Sequence, residues 1–204
     1  MSLTISRRRF IGEAASAPLA LAAYRPLGPD KKLRIGVVGG GFGAEFPWHE
    51  HPNCEVTAVA DLRDDRRKRM VERFRCDNAY GGFHPMLKDP KVDAVAIFTP
   101  GPDHARHVLD VLEAGKHVIC AVPDALTLED CGRLVDAVKK TGLTYMLAET
   151  GCFHWATMTA RKFREQGEFG TIYYTEGEYL HDLGDFHPGG KSSGLLWDAQ
   201  GKPT

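Results

Sequence analysis

The sequence predicts an α/β fold built on a doubly wound parallel sheet. Three observations carry that expectation. Short β-rich runs alternate with stretches of helical periodicity from Lys31 onward. The β-rich runs are apolar nearly throughout rather than alternating, as suits parallel strands covered on both faces. The joins between runs are short, as in strand–helix–strand crossovers that return to the same sheet.

The elements follow in order. "LRIGVV" (33–38) is the first strand and runs into glycines; "VTAVAD" (56–61) and "VDAVAIF" (92–98) are the next two. "HVICAV" (117–122) and "LTYML" (143–147) complete the set. After Pro102-Asp103, the residues Ala105, Val108, Leu109 and Leu112 share one helical face, and Gly115 ends the run. "TLED" (127–130) resembles a capping box, and Cys131, Leu134, Val135 and Val138 repeat the helical spacing up to Gly142. Arg66, Arg67, Lys68 and Arg69 lie in a helix-like stretch and read as a solvated face. Residues 154–166 read as a helix stopped by Gly167, and "TIYYTEGEYL" (171–180) reads as a strand. One strand cannot make a sheet. The expected organisation is therefore one domain over 31–150 and an incomplete segment over 151–204: either this strand adds to something unseen, or the sequence is a fragment of a longer protein.

Composition sets outer limits. The 204 residues are 43% hydrophobic and 26% charged with a formal net charge of −1, an ordinary globular balance. Nothing in that charge favours nucleic acid or an acidic membrane as a partner. The five cysteines (Cys54, Cys76, Cys120, Cys131 and Cys152) form no C-x-x-C pair and no zinc spacing, so no metal is expected. Cys120 and Cys131 read as small core residues. At the N-terminus, "SRRRFIG" (6–12) sets Arg7 and Arg8 one residue before Phe10 and Ile11, and a weakly apolar stretch ends in small residues near Ala23. That order resembles a twin-arginine export signal over 1–30, which a receptor reads as an address. The run is too short, and Glu13 too polar, for a membrane span. The expected location is periplasmic or secreted, with the twin-arginine machinery as a partner.

The motif with the clearest chemistry is "GVVGGGFGAEF" (36–46), which directly follows the first strand and is expected to open a helix. Gly39, Gly41 and Ala44 fill a G-x-G-x-x-[G/A] pattern. Gly39 permits the tight turn, Gly41 lets the backbone approach a pyrophosphate, and Ala44 allows close helix–strand packing. Gly40, Phe42 and Gly43 complete the loop and are assigned to the same ligand. Asp61 ends the second strand, about 20 residues beyond the glycines, where a carboxylate can accept the ribose hydroxyls of an adenosine. It would repel a 2′-phosphate, so NAD is expected over NADP. Arg63 weakens that preference by offering a phosphate partner. Asp61 can alternatively be read as the N-cap of the helix that starts near Asp64.

"TPGPDH" (99–104), "VLEAGKHV" (111–118) and the proline-ended strand, together with "GGGFGA", resemble the Gfo/Idh/MocA family of nicotinamide-dependent oxidoreductases. The resemblance spans about residues 31–180. It implies a Rossmann-type domain followed by a larger α/β domain, and hydride transfer to or from a sugar- or cyclitol-like carbinol. It also implies that Thr99, Pro100 and His104 border the nicotinamide side, with Pro123 across the turn. The alternative for His104 is a first-turn helix residue with no ligand. The family pattern at that strand end is Glu-Lys-Pro, its lysine pointing toward nicotinamide and substrate, whereas this chain has Ala121-Val122-Pro123. A positioned proton carrier contributes roughly 10²–10⁴-fold in rate, and valine supplies none of it. Three explanations stay open: an oxidoreductase with its acid/base groups elsewhere, an NAD-dependent glycoside hydrolase of the same family, or a dinucleotide-binding module without catalysis. No catalytic residue is assigned, and a homo-oligomer is allowed.

Other polar groups are weaker candidates. His181, Asp182, Asp185 and His187 read as a polar loop. His49 and His51 read as helix-end residues. Trp48, Trp155 and Trp197 are as easily packing residues as sugar platforms. Glu149, at the end of the last core strand, is placed like a cofactor neighbour.

Overall fold

A computed structural model describes residues 31–178. Six parallel strands form a single sheet: β1 (Leu33–Val38), β2 (Cys54–Ala60), β3 (Ala79–Tyr80), β4 (Ala94–Ile97), β5 (His117–Cys120) and β6 (Tyr145–Leu147). Their spatial order is β3-β2-β1-β4-β5-β6. The chain works outward from β1 in one direction, then returns to β4 and works outward in the other. Among the described residues, five α-helices accompany the sheet: α1 (Asp64–Phe74), α2 (Phe83–Leu87), α3 (His104–Glu113), α4 (Leu128–Thr141) and α5 (Trp155–Glu165).

Successive strand residues enter opposite cores, as the two-residue period demands. Val37, Val59 and Ala96 pack with Met70 and Phe74 of α1 on one face. Val38, Val95, Ile97, Val118 and Cys120 pack with Val108, Val111 and Leu112 of α3 and Leu134 of α4 on the other. Parity on β2 switches once, because the pairing with β1 shifts between Ile35 and Gly36. Val56 and Val59 therefore share one face, while Ala58 and Ala60 share the other. The expected helix over 127–142 is α4, capped by Thr127, whose hydroxyl accepts from the Asp130 N–H at 3.1 Å. It ends at Gly142 with φ 66°.

Two expectations are corrected. The glycine loop does not open an α-helix but two short 3₁₀ turns, Phe42–Glu45 and Trp48–Glu50. Pro47 explains the break: it offers no N–H, and it drives the preceding Phe46 to an extended conformation (φ −80°, ψ 130°). The strand expected over 171–180 is absent over its described part, 171–178, where no neighbouring strand takes its backbone groups. The remainder of that stretch, the 181–187 cluster, Trp197 and the N-terminal 1–30 segment lie outside the described residues. Among the described residues, no helix is long and apolar enough to cross a membrane. Cys120 is fully buried as expected, whereas Cys131 is only half-buried.

Polar fastening concentrates at the edge where the strands begin. Arg34 donates from Nε and Nη2 to the two oxygens of Asp93 at 2.8 and 2.6 Å, tying β1 to the approach of β4. The buried ammonium of Lys116 donates to the carbonyls of Asp89 (2.9 Å) and Val92 (2.7 Å), fixing the loop before β4 to the start of β5. Lys116→Met keeps the apolar stem and removes the ammonium, stranding both carbonyls. A loss of about 1–3 kcal/mol in urea unfolding is expected, and an unchanged midpoint would show that the carbonyls need no such donor.

Candidate functional site at the ends of β1, β2, β4 and β5

In a parallel sheet all strands end at one edge, and the direction of winding reverses between β1 and β4. That reversal opens a crevice just past the strand ends. Gly39 makes the first bend there, with φ +92°, a conformation that side chains rarely adopt. A Cβ on Gly39 would lie 2.2 Å from the carbonyl oxygen of Phe98 at the end of β4, so the bend and the neighbouring strand fit only around a hydrogen. Its N–H is donated to Ala60 at the end of β2 (2.9 Å) and its carbonyl accepts from Gly43 (3.2 Å). Gly41 differs: its φ is an ordinary −74°, and an added Cβ would meet nothing nearer than the Arg66 guanidinium at 3.6 Å. Gly41 therefore has room for a side chain beside Arg66. Gly43 and Ala44 are buried, Gly43 against the Phe98 ring, and so pack the bend from beneath. Phe42 is exposed, held edge-to-face by Phe46 and Phe98 at ring separations of 5.0 and 5.7 Å.

Asp61 reaches across from the end of β2. Its Oδ2 accepts the N–H of Gly40 at 2.6 Å and its Oδ1 accepts the N–H of Arg63 at 2.8 Å. The side chain is 7% exposed, with Arg66 Nη1 3.9 Å away. Its N-cap alternative is not realised, since the capping position of α1 belongs to Arg63 and no side chain caps that helix. Arg63 does not turn toward the bend. It forks onto Asp65 at 2.8 and 3.1 Å on the exposed side. The correction concerns its neighbours, because the basic run is not uniformly solvated. Arg66 flanks Asp61 and Gly41, Arg67 donates to the carbonyls of Asp61 (2.7 Å) and Leu62 (3.0 Å), and Arg69 donates to the Gly40 carbonyl. A four-residue step from Met70 and Phe74, both buried, was the available signal for Arg66.

At the end of β4, Thr99 is half-buried and Pro100 exposed, and a 3₁₀ turn (Gly101–Asp103) leads into α3. His104 is 1% exposed, with its ring nitrogens 2.6 Å from the carbonyl oxygens of Pro123 and Thr99. His104 thus clamps the ends of β4 and β5 together. Val122, just before the Pro123 turn, is 51% exposed while Ala121 is buried. Glu149 is corrected: its Oε1 accepts from the Gly151 N–H at 2.9 Å and caps a 3₁₀ turn. His51 sits at the end of the Trp48–Glu50 turn as expected, and His49 stands edge-on to Phe74.

His107 was not anticipated from sequence. Lying one turn after His104, it places Nδ1 3.0 Å from the Thr99 hydroxyl, and Arg106 Nη2 lies 3.2 Å from its Nε2. Burial is the main cause pushing its imidazole down to about 4, and the Arg106 guanidinium adds to it, while Asp103 and Asp110 act the other way.

This arrangement defines a dinucleotide-binding α/β fold: a side-chain-poor bend after the first strand, an acid at the end of the second, and a crevice at the reversal. Residues 33–149 match the oxidoreductase family described as an NAD-binding Rossmann fold, Gfo/Idh/MocA, and the chain belongs to that family. It is 30% identical over 168 residues to glycosyl hydrolase family 109 protein 1 of Bacteroides thetaiotaomicron, covering 76% of this chain and 36% of that protein. It is 29% identical over 163 residues to levoglucosan dehydrogenase of Pseudarthrobacter phenanthrenivorans, covering 74% of this chain and 42% of that one. The crystal structure of the WlbA dehydrogenase from Bordetella pertussis, in complex with NADH and UDP-GlcNAcA, superposes with a TM-score of 0.63 at 25% identity, covering 71% of this chain and 42% of that one. The chain thus spans about two fifths of the length of these relatives.

His107 gives the fold a testable acid response. Its ordinary value of 6.5 falls to about 4 on folding, so between those values the unfolded chain binds a proton that the folded chain refuses. This contribution is complete above about 6.5 and lost as pH falls through about 4. His107→Leu is expected to flatten the dependence of urea midpoint on pH across that window. Parallel curves for both proteins would contradict the burial of a neutral imidazole.

Proposed function

We propose that this chain is the cofactor-binding part of an NAD-dependent oxidoreductase that transfers hydride to or from a sugar- or cyclitol-like carbinol. One observation carries the proposal: an ordinary-φ Gly41 with room for a side chain beside the Arg66 guanidinium, set between the strained Gly39 turn and the Asp61 carboxylate. The residues fit a dinucleotide. Backbone at Gly40, Gly41 and Phe42 would approach the pyrophosphate, and Asp61 keeps lone pairs for ribose hydroxyls beyond the two N–H groups it already accepts. Thr99, Pro100 and the Pro123 turn would border the nicotinamide half, held in register by His104. When bound, nicotinamide supplies the hydride acceptor or donor. The carboxylate of Asp61 favours NAD over NADP, and Arg63, engaged with Asp65, does little to offset it. Val122 carries no transferable proton, so the acid/base group belongs to another part of the protein. Residues 151–204 would begin the substrate-holding domain, a reading supported by the exposed Trp155, Met158 and Phe163 of α5.

The similarity to family 109 glycosyl hydrolases favours a second reading, glycoside hydrolysis through transient oxidation. Net accumulation of NADH separates the two, since only the oxidoreductase consumes NAD. Arg7 and Arg8 support export by the twin-arginine route to the periplasm or beyond.

Titration with NADH tests the cofactor site. Gly41→Asp places a carboxylate on the pyrophosphate path without straining the backbone, and a loss of affinity of about 100-fold or more is expected from charge repulsion and obstruction. Asp61→Ala is expected to weaken NADH by about tenfold and to narrow the gap to NADPH. Equal NADH affinity in the parent and Gly41→Asp would remove the assignment. For export, changing Arg7 and Arg8 to lysine is expected to retain a reporter fusion in the cytoplasm, and continued secretion would refute that route.

A further inference from the structure

We infer that Arg106 and His107 act as a positioning pair that fixes which way the Thr99 hydroxyl donates, aiming its proton at an oxygen of the bound dinucleotide. The inference rests on the cofactor reading above and adds two residues that reading does not use.

The geometry has a direction. Arg106 Nη2 lies 3.2 Å from His107 Nε2, and a guanidinium only donates, so Nε2 must accept and carry no proton. A neutral imidazole then holds its single proton on Nδ1. That nitrogen is 3.0 Å from Thr99 Oγ1, which therefore accepts. Among the described residues, His107 is the one hydrogen-bond partner of the Thr99 hydroxyl. The Thr99 proton is left over for a group outside the protein. Thr99 follows β4 where the sheet reverses, and its backbone nitrogen lies beside the Gly39 bend, 3.2 Å from where a Gly39 Cβ would sit. Buried surroundings keep the pair in this state: His107 is 7% exposed and its ring packs on Phe83 at 4.4 Å. Arg106 is itself oriented by Asp103, donating to Oδ1 at 2.8 Å. With the opposite tautomer, Nε2–H would face the guanidinium, and Thr99 would spend its proton on Nδ1.

The test combines a direct look at the ring with cofactor affinity. In the 204-residue chain labelled with ¹⁵N-histidine, the His107 ring is expected to carry its proton on Nδ1. Thr99→Val is expected to weaken NADH by about three- to tenfold, the worth of one neutral hydrogen bond, and Thr99→Ser to restore it. Arg106→Met, at a largely exposed position, is expected to shift the ring toward Nε2–H and to weaken NADH by a similar factor. A purely structural role would leave the tautomer unmoved. An Nε2–H ring in the unaltered chain, or unchanged NADH affinity in Thr99→Val or Arg106→Met, would overturn the inference while leaving the cofactor site intact. Failure of the unaltered chain to bind NADH would overturn the cofactor reading, and this inference with it.

Discussion

Everything at the crevice depends on the close passage of two strands at Gly39. The end of β1 turns so tightly past the end of β4 that a single added carbon would sit 2.2 Å from the Phe98 carbonyl oxygen. That contact sets where β1 stops, and the Gly39 N–H bonded to Ala60 sets its height against β2. The bend is thus fixed by the neighbouring strands on both sides. Its next residues, Gly40 and Gly41, are delivered to one place: Gly40 onto the Asp61 carboxylate, and Gly41 beside the Arg66 guanidinium. A larger residue at 39 would push β1 and β4 apart and spoil both.

The sheet divides its tasks between its two edges. Where strands begin, charged side chains are spent on structure: Arg34 on Asp93, and Lys116 on two carbonyls. Where strands end, the fastening falls mainly on backbone groups, held by a buried imidazole and by charged side chains. His104 joins Thr99 to Pro123 through their carbonyls, and Arg69 holds the carbonyl of Gly40. Such fastening keeps the crevice walls in place. Val122 fits that division poorly, as a half-exposed apolar side chain just past the end of β5.

Much of this was legible before the structure because it depends on local pattern. Apolar runs over 33–38, 56–61 and 92–98 located β1, β2 and β4 to within two residues, since buried parallel strands cannot tolerate polar positions. Thr127 and Gly142 marked the ends of α4 because capping is a backbone requirement that few residues meet. The glycine bend and Asp61 were found at the correct strand ends. What escaped notice depends on contacts distant in sequence. β3 is only two residues long and too short for a period to show. Pro47 was present in the sequence, but the G-x-G-x-x-A pattern that promised a helix outweighed it. His104 offered no sign that both its nitrogens face carbonyls, and nothing in a helical repeat announces that His107 meets Thr99 across the strand end.

The central claim is that the bend from Gly39 to Phe42 and the carboxylate of Asp61 receive the dinucleotide together. The most direct measurement is the set of backbone amide resonances of the ¹⁵N-labelled chain as NADH is added. The account predicts saturable shifts for Gly40, Gly41, Phe42 and Asp61, with Asp93 and Lys116 at the opposite edge unmoved. Shifts that spare the bend and gather elsewhere would contradict it.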